Sequence, residues 1–283
     1  MLAGVELGGT KCICTWGTGP DDVRAQVEIP TTGPEATLAA IARVLDAWDF
    51  QSLGIAGFGP LDLDRTSAKF GSILSTPKPG WSGVDLTSIA NGVPFAIDTD
   101  VNGAALAEGL WGAARGLESW AYITIGTGVG VGSVSAGQIL RGAGHSEAGH
   151  QRVPKLAGDD FEGCCIYHGD CVEGLASGPA IAARAGQVGR DITPDDDAWN
   201  HAAHALAMLC HNLAFTTLPQ RILIGGGVAV GQPQLLEMVR QHLGNSLASY
   251  GKIDELDNLI APPALGKSAG PCGSLAIAAR ATN

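Results

Sequence analysis

The chain has 283 residues, 45% hydrophobic and 16% charged, with a formal net charge of −11. That length exceeds one ordinary core and predicts two domains with a cleft between them, while the acidic balance excludes a broad contact with a nucleic-acid backbone, which needs a basic face. No apolar run reaches membrane-span length, and MLAGVELGGTK carries no basic region, apolar run or cleavage site of a secretory leader, so a cytoplasmic protein without membrane or nucleic-acid partners is expected.

LAGVEL, KCICTW and VRAQVEI, separated by GGT and GTGPDD, predict a β-meander over residues 2–29. In PEATLAAIARVLDAW, Leu38, Ile41, Leu45 and Trp48 recur at helical spacing behind Gly33 and Pro34, which predicts a helix. LGIAGFG reads as a buried strand running into a glycine turn. PFAI is a strand, DTD a junction and VNGAALAEGLWG a helix, placing Asp100 at the carboxyl end of a strand, where ligands of open α/β sheets gather. WAYITIGTGVGVGSVSAG repeats the early theme of strand, glycine-threonine turn and strand, as a degenerate internal duplication would. An amphipathic stretch from about Trp199 to Leu218, the strand RILIGGG and the helices PQLLEMVRQHL and CGSLAIAARA complete an α/β pattern.

GGTK (8–11) and GTG (126–128) each follow an apolar strand and offer open backbone N–H groups and a threonine hydroxyl, which suits phosphate oxygens as well as an ordinary hairpin turn. With Gly225-Gly226-Gly227 after a third strand, they point to a nucleotide held between two similar lobes. A P-loop is excluded because Gly-Lys-Ser at 266–268 has alanine at 261 where the pattern needs glycine. A dinucleotide fingerprint is excluded because GTGVGVG has valine at 131.

Phosphoryl transfer to a hydroxyl needs a proton acceptor, and Asp100 has the position for it. The same place suits a helix N-cap, for which Asp98 and Thr99 compete. Glu147 and Glu173 lie beside metal-type residues and are candidates to grip sugar hydroxyls, with solvated surface carboxylates as the alternative. Seven cysteines cannot all pair within one chain, and a reducing cytosol disfavours disulfides. In GCCIYHGDC, Cys165-x2-His168-x2-Cys171 offers three ligands on a tight turn, and His150 is the preferred fourth over Cys164, giving the donor set of a closed tetrahedral zinc site. A redox site would need C-x-x-C, which this stretch lacks. His204 and His211, on a helical stretch, read as structural.

In order and along nearly the whole chain, GVELGGTK, STPKPGW, TDVNGAALAE, ITIGTGVGVG, EAGH, CIYHGDCVEGLASGPA and ILIGGGV resemble the ROK family of repressors, open reading frames and sugar kinases. Within it the chain looks most like bacterial fructokinases with a Cys-x2-His-x2-Cys zinc loop, rather than glucokinases with a more cysteine-rich loop. The resemblance implies an actin-like, hexokinase-like (ribonuclease H-like) α/β ATPase fold of two domains, 1–112 with about 268–283, and 113–267 with the zinc loop. These domains would close over hexose and ATP with Mg²⁺. By resemblance Asp100 is the catalytic base, and Asn102, Glu147, His150 and Glu173 hold the sugar. Gly8, Gly9, Thr10, Lys11, Thr127 and Gly128 hold phosphate, with Pro179, Gly225, Gly226 and Gly227 on the adenosine side. Structural Zn²⁺ sits on His150, Cys165, His168 and Cys171, and a homodimer is expected.

Two positions depart from the family pattern. Glu6 stands where the phosphate motif has Asp, and Thr99 where many glucose-phosphorylating relatives have Asn, which removes an amide that can hold a sugar hydroxyl and agrees with fructose as substrate. Family repressors carry an N-terminal helix-turn-helix, for which no room is expected before a phosphate turn that begins at residue 8. Kinases for glucose, mannose or amino sugars, and a non-catalytic sugar sensor, are the alternatives.

Overall fold

The computed structural model describes residues 1–250 and 255–281; residues 251–254 and 282–283, which the sequence reading assigns to the second and first domains, lie outside the described residues. They fall into two compact units, one of Met1–Gly116, Ile139–Ser146 and the chain from Lys267, the other of Leu117–Gln138 and Glu147–Gly266. Ile139–Ser146, expected in the second domain by its place in the sequence, packs with the first unit because Arg141 donates to Asp98 and His145 accepts from the backbone N–H of Leu61.

In the first unit Leu2–Leu7 (β1), Lys11–Gly19 (β2) and Asp22–Pro30 (β3) form the expected meander. Pro34–Leu45 (α1) then leads to Ser52–Gly57 (β4), Phe95–Thr99 (β5) and Asp100–Trp111 (α2). The sheet runs β3-β2-β1-β4-β5, with β4 and β5 parallel to β1. Every residue of β4 is buried, as its unbroken apolar run predicts for a strand covered on both faces. Helix α1 stops at Leu45, so Trp48 lies beyond it and stacks on Trp16 of β2.

The second unit builds Trp120–Ile125 (β6), Val129–Ser135 (β7), the short Gln138–Ile139 (β8), of which Gln138 belongs to this unit, Val172–Ala176 (α3), Gly178–Ala185 (α4) and Asp197–Thr216 (α5). Arg221–Gly225 (β9), Gly226–Gly231 (α6), Gln234–Leu247 (α7), Leu256–Leu259 (α8) and Ile260–Ala261 (β10) follow. Its sheet order, β8-β7-β6-β9-β10, repeats that of the first, with an antiparallel β6–β7 hairpin and parallel β9 and β10. Trp199, Leu206, Leu209 and Leu213 of α5 are buried in its core, which explains the amphipathic pattern of that helix.

The last helix, Ala269–Ala278 (α9), belongs to the first unit and packs on β1, β4 and α2. Glycines make that approach possible: a Cβ at Gly54 would lie 1.9 Å from the Ser274 carbonyl oxygen, and one at Gly273 would lie 2.6 Å from the Gly103 carbonyl carbon. No helix among the described residues is long and apolar enough to cross a membrane.

Candidate active site and Cys/His cluster

Register gathers the first unit's candidate groups at one edge. Leu7 pairs with Gly57 and Gly57 with Thr99, so β1, β4 and β5 end together. The glycine turn after Leu7 and Asp100 after Thr99 therefore leave the same edge, two strand spacings or roughly 10 Å apart. In the turn, Gly8 N–H donates to the Lys11 carbonyl (3.0 Å), and Thr31 clamps it by donating twice, from its N–H to the Thr10 carbonyl (2.9 Å) and from its hydroxyl to the Gly8 carbonyl (2.8 Å). The Lys11 ammonium is paired with Glu28 at 2.6 Å, which raises its pKa above the usual lysine value. Lys78, within STPKPGW, donates instead to the Gly9 carbonyl. The sequence carries a signal for it, the same STPKPGW motif, but assigns the lysine no task.

Thr99 takes the cap of α2, its hydroxyl accepting from Asn102 N–H (3.2 Å), so Asp100 is the first helical residue and not the cap. Asp100 accepts from Val101 N–H at 2.8 Å. Asp98, 3% exposed, accepts from Thr99 N–H (2.9 Å), from Asn102 Nδ2 (2.7 Å) and from Arg141. Asn102 is itself 2% exposed and its amide nitrogen supports the strand end through Asp98. Burial first, then the negative charge of Asp100, push the Glu6 carboxyl up to about 7, with Lys11 pulling it down. Its Oε2 is buried without a hydrogen-bond partner, and a Cβ at Gly270, in the first turn of α9, would lie 2.1 Å from its Oε1.

In the second unit three glycine segments converge. Gly126 N–H donates to the Gly128 carbonyl (2.9 Å), closing the turn that carries Thr127, and Gly178 N–H donates to the Gly126 carbonyl (2.8 Å), bringing Pro179 and the start of α4 beside it. Ser177 caps α4 through its hydroxyl. Gly226, at φ +89°, lies against Ile125, where a Cβ would come within 2.4 Å of the backbone, so Gly225 through Gly227 join the same end of the sheet.

His150, Cys165, His168 and Cys171 also converge, with one ligand atom from each and all four within 4.8 Å of one another. His150 Nδ1 lies 3.6 Å from both sulfurs, and His168 Nδ1 lies 3.7 Å from Cys165 Sγ. Cys164, adjacent in sequence, is exposed and outside the group. Burial, with Cys165 nearby, pushes the Cys171 thiol up to about 11, a cost that a bound divalent cation reverses. The loop folds on glycines: a Cβ at Gly174 would lie 1.8 Å from the Gly169 carbonyl oxygen, and Gly163 sits at φ +81°. Glu173 joins cluster and turn, its Oε1 4.0 Å from His150 Nδ1 and its Oε2 accepting from Val129 N–H at 3.2 Å. Gly128 leaves room for it, since a Cβ there would lie 2.4 Å from Oε2. Glu147 opens the single turn Ala148–His150, whose Gly149 touches Val129 closely enough to exclude any side chain.

Two sheets of the same order, each with glycine turns at strand ends, define an actin-like, hexokinase-like α/β protein. The chain belongs to the ROK family, which matches residues 2–281. A fructokinase of Pediococcus pentosaceus is 39% identical over 98% of this chain and 97% of its own, and a fructokinase of Zymomonas mobilis is 41% identical over 99% and 96%. Among solved structures, the ROK hexokinase of Thermus thermophilus superposes with a TM-score of 0.80 at 26% identity, covering 99% of this chain and 98% of its own.

Proposed function

We propose that the chain is an ATP-dependent hexose kinase that converts D-fructose to fructose 6-phosphate. The observation that carries the reading is the shared sheet edge, where register brings the Gly8–Lys11 turn and Asp100 together. The fructokinase relatives, matched along nearly their whole length, favour fructose among the hexoses. Loss of the amide at position 99 agrees with that choice.

In the proposed reaction the fructose 6-hydroxyl attacks the γ-phosphorus of MgATP in line, and Asp100 accepts the hydroxyl proton as the new P–O bond forms and ADP leaves. Backbone N–H groups of Gly8 through Thr10 and of Thr127 and Gly128 stabilise phosphate charge. Lys11 adds to this on leaving Glu28, an exposed pair that water and salt already screen. Pro179 and Gly225 through Gly227 flank the adenosine, and Glu147, His150 and Glu173 bind sugar hydroxyls.

The four-residue cluster fits zinc: two imidazoles and two thiols with converging donor atoms form a closed tetrahedral set. A bound ion would fix the loop that carries Glu173 and orient His150, acting on the substrate pocket without touching reacting atoms. A cytoplasmic homodimer completes the proposal.

The test is ADP release from MgATP by zinc-replete protein across fructose, glucose, mannose, glucosamine, N-acetylmannosamine and N-acetylglucosamine. Fructose giving the largest kcat/KM supports the reading. Another hexose in that place sinks the fructose assignment, and sugar binding without turnover makes the chain a sensor.

A further inference from the structure

Close to Asp100, the polar side chains placed to hold a sugar are spent inside the protein. Thr99 is 4% exposed and its hydroxyl caps α2. Asn102 is buried and gives its amide to Asp98. Arg141, on the segment Ile139–Ser146 that packs with the first unit, reaches this strand end from elsewhere in the sequence.

Arg141 and Asp98 form an asymmetric pair. The carboxylate side chain is 4% exposed, whereas the guanidinium side chain is 40% exposed. Asp98 accepts from Thr99 N–H and Asn102 Nδ2 on Oδ1 and from Arg141 Nη2 on Oδ2. A guanidinium carries five N–H donors in a rigid plane, and among the described residues the side chain of Arg141 donates to Asp98. It is anchored at one nitrogen, weakly hydrated for a cation, and presents its other donors beside Asp98, which stands two positions before the proposed base in the sequence. A neutral hexose hydroxyl has the lone pairs to accept them.

We propose that Arg141, held in place by Asp98, donates its remaining N–H groups to hydroxyl oxygens of the hexose and takes the part that an amide at position 99 would play. This rests on the hexose-kinase reading. It gives Arg141 a share in sugar binding and leaves proton removal to Asp100.

Arg141→Lys keeps a cation for Asp98 but loses the planar fork. Loss of one charge-assisted hydrogen bond raises KM for fructose about 10- to 100-fold. KM for MgATP stays near the wild-type value, and kcat changes far less than KM. The pair Asp98→Asn/Arg141→Gln removes the buried charge and replaces the ion pair by an amide contact, and it shows the same rise. A purely structural Arg141 is rescued by either replacement, so a KM for fructose within about twofold of wild type in these folded variants overturns the proposal.

A measurement on the unmutated protein covers variants that fail to fold. Fructose without ATP slows modification of Arg141 by phenylglyoxal, read at that residue by peptide mass spectrometry against exposed Arg190 as internal control. Unchanged labelling of Arg141 under conditions where calorimetry shows bound fructose refutes the contact. Wild-type protein that neither binds nor phosphorylates any hexose defeats the kinase reading and this proposal together, an outcome distinct from normal sugar binding that ignores Arg141.

Discussion

Glu6→Gln offers a direct test of the electrostatics at the first strand end. The carboxyl is buried, one oxygen lacks a partner, and Asp100 is a nearby negative charge, so its pKa rises from 4.5 to about 7 in the folded protein. A raised carboxyl pKa means that the folded state binds more protons than the unfolded state between those two values. Stability from this group is therefore highest below about pH 4.5 and falls as pH rises through about 7, where the charge is buried in full. A rise from 4.5 to about 7, at about 1.4 kcal/mol for each tenfold change in proton affinity, makes the penalty about 3 kcal/mol. Glutamine does not titrate, so the wild-type and variant curves separate with pH and any fixed effect of the amide cancels. Urea unfolding of both proteins without nucleotide or magnesium, at about pH 5 and about pH 8, measures it, and Glu6→Gln should gain on wild type by up to about 3 kcal/mol across that range. Parallel stability profiles would show that Glu6 ionises like an exposed carboxylate and that the burial argument is wrong.

Asp100→Asn should lower kcat by about 100- to 10,000-fold while fructose binding, measured by calorimetry, stays within a few-fold of wild type; near-normal turnover removes Asp100 from the role of base. Purified protein should contain about one zinc per chain by elemental analysis, lost together with activity in Cys171→Ser or after chelation, and full activity in zinc-free protein would end the structural-zinc reading. Gly128→Ala pushes on the movable end of Glu173 and breaks its bond to Val129 N–H, so stability should drop by only about 1 kcal/mol while kcat/KM falls about tenfold; an unchanged kcat/KM would separate the turn from the cluster. Gly54→Ala instead meets backbone 1.9 Å away and should cost about 3 kcal/mol, seen as a lowered melting temperature, and an unshifted transition would contradict the close packing of α9.

The sequence reveals what is local and periodic. The short β-type runs of β1 to β3 between glycine turns, the apolar run of β4 and the helical spacing of α5 are local signals, and each element forms where its signal places it. The end of α1 is less legible because Trp48 keeps the apolar spacing while the backbone has already left the helix, its N–H donating to the Leu45 carbonyl three residues back. The cluster of His150, Cys165, His168 and Cys171 is legible because three ligands fall within seven residues, and metal-type residues are few in the chain. The contact between Arg141 and Asp98 spans 43 positions and joins two stretches with no shared periodicity, so no local pattern announces it. Lys78 is hidden in another way: its motif is visible, but its target is a backbone carbonyl, which leaves no mark in the sequence. Asn102 shows the opposite case, since the motif names the residue and only the fold shows that its amide nitrogen is given to Asp98.

The seat of α9 on β1, β4 and α2 sets an order on synthesis. The strands of the first unit are made before those of the second, yet the face that receives Ser274 and its neighbours stays uncovered until α9 leaves the ribosome. The second unit draws on Leu117–Gln138 and Glu147–Gly266 and has its strands and helices in hand sooner. The unit whose sheet is translated before the other's is thus the later to close, and its open sheet is the surface on which a chaperone would act.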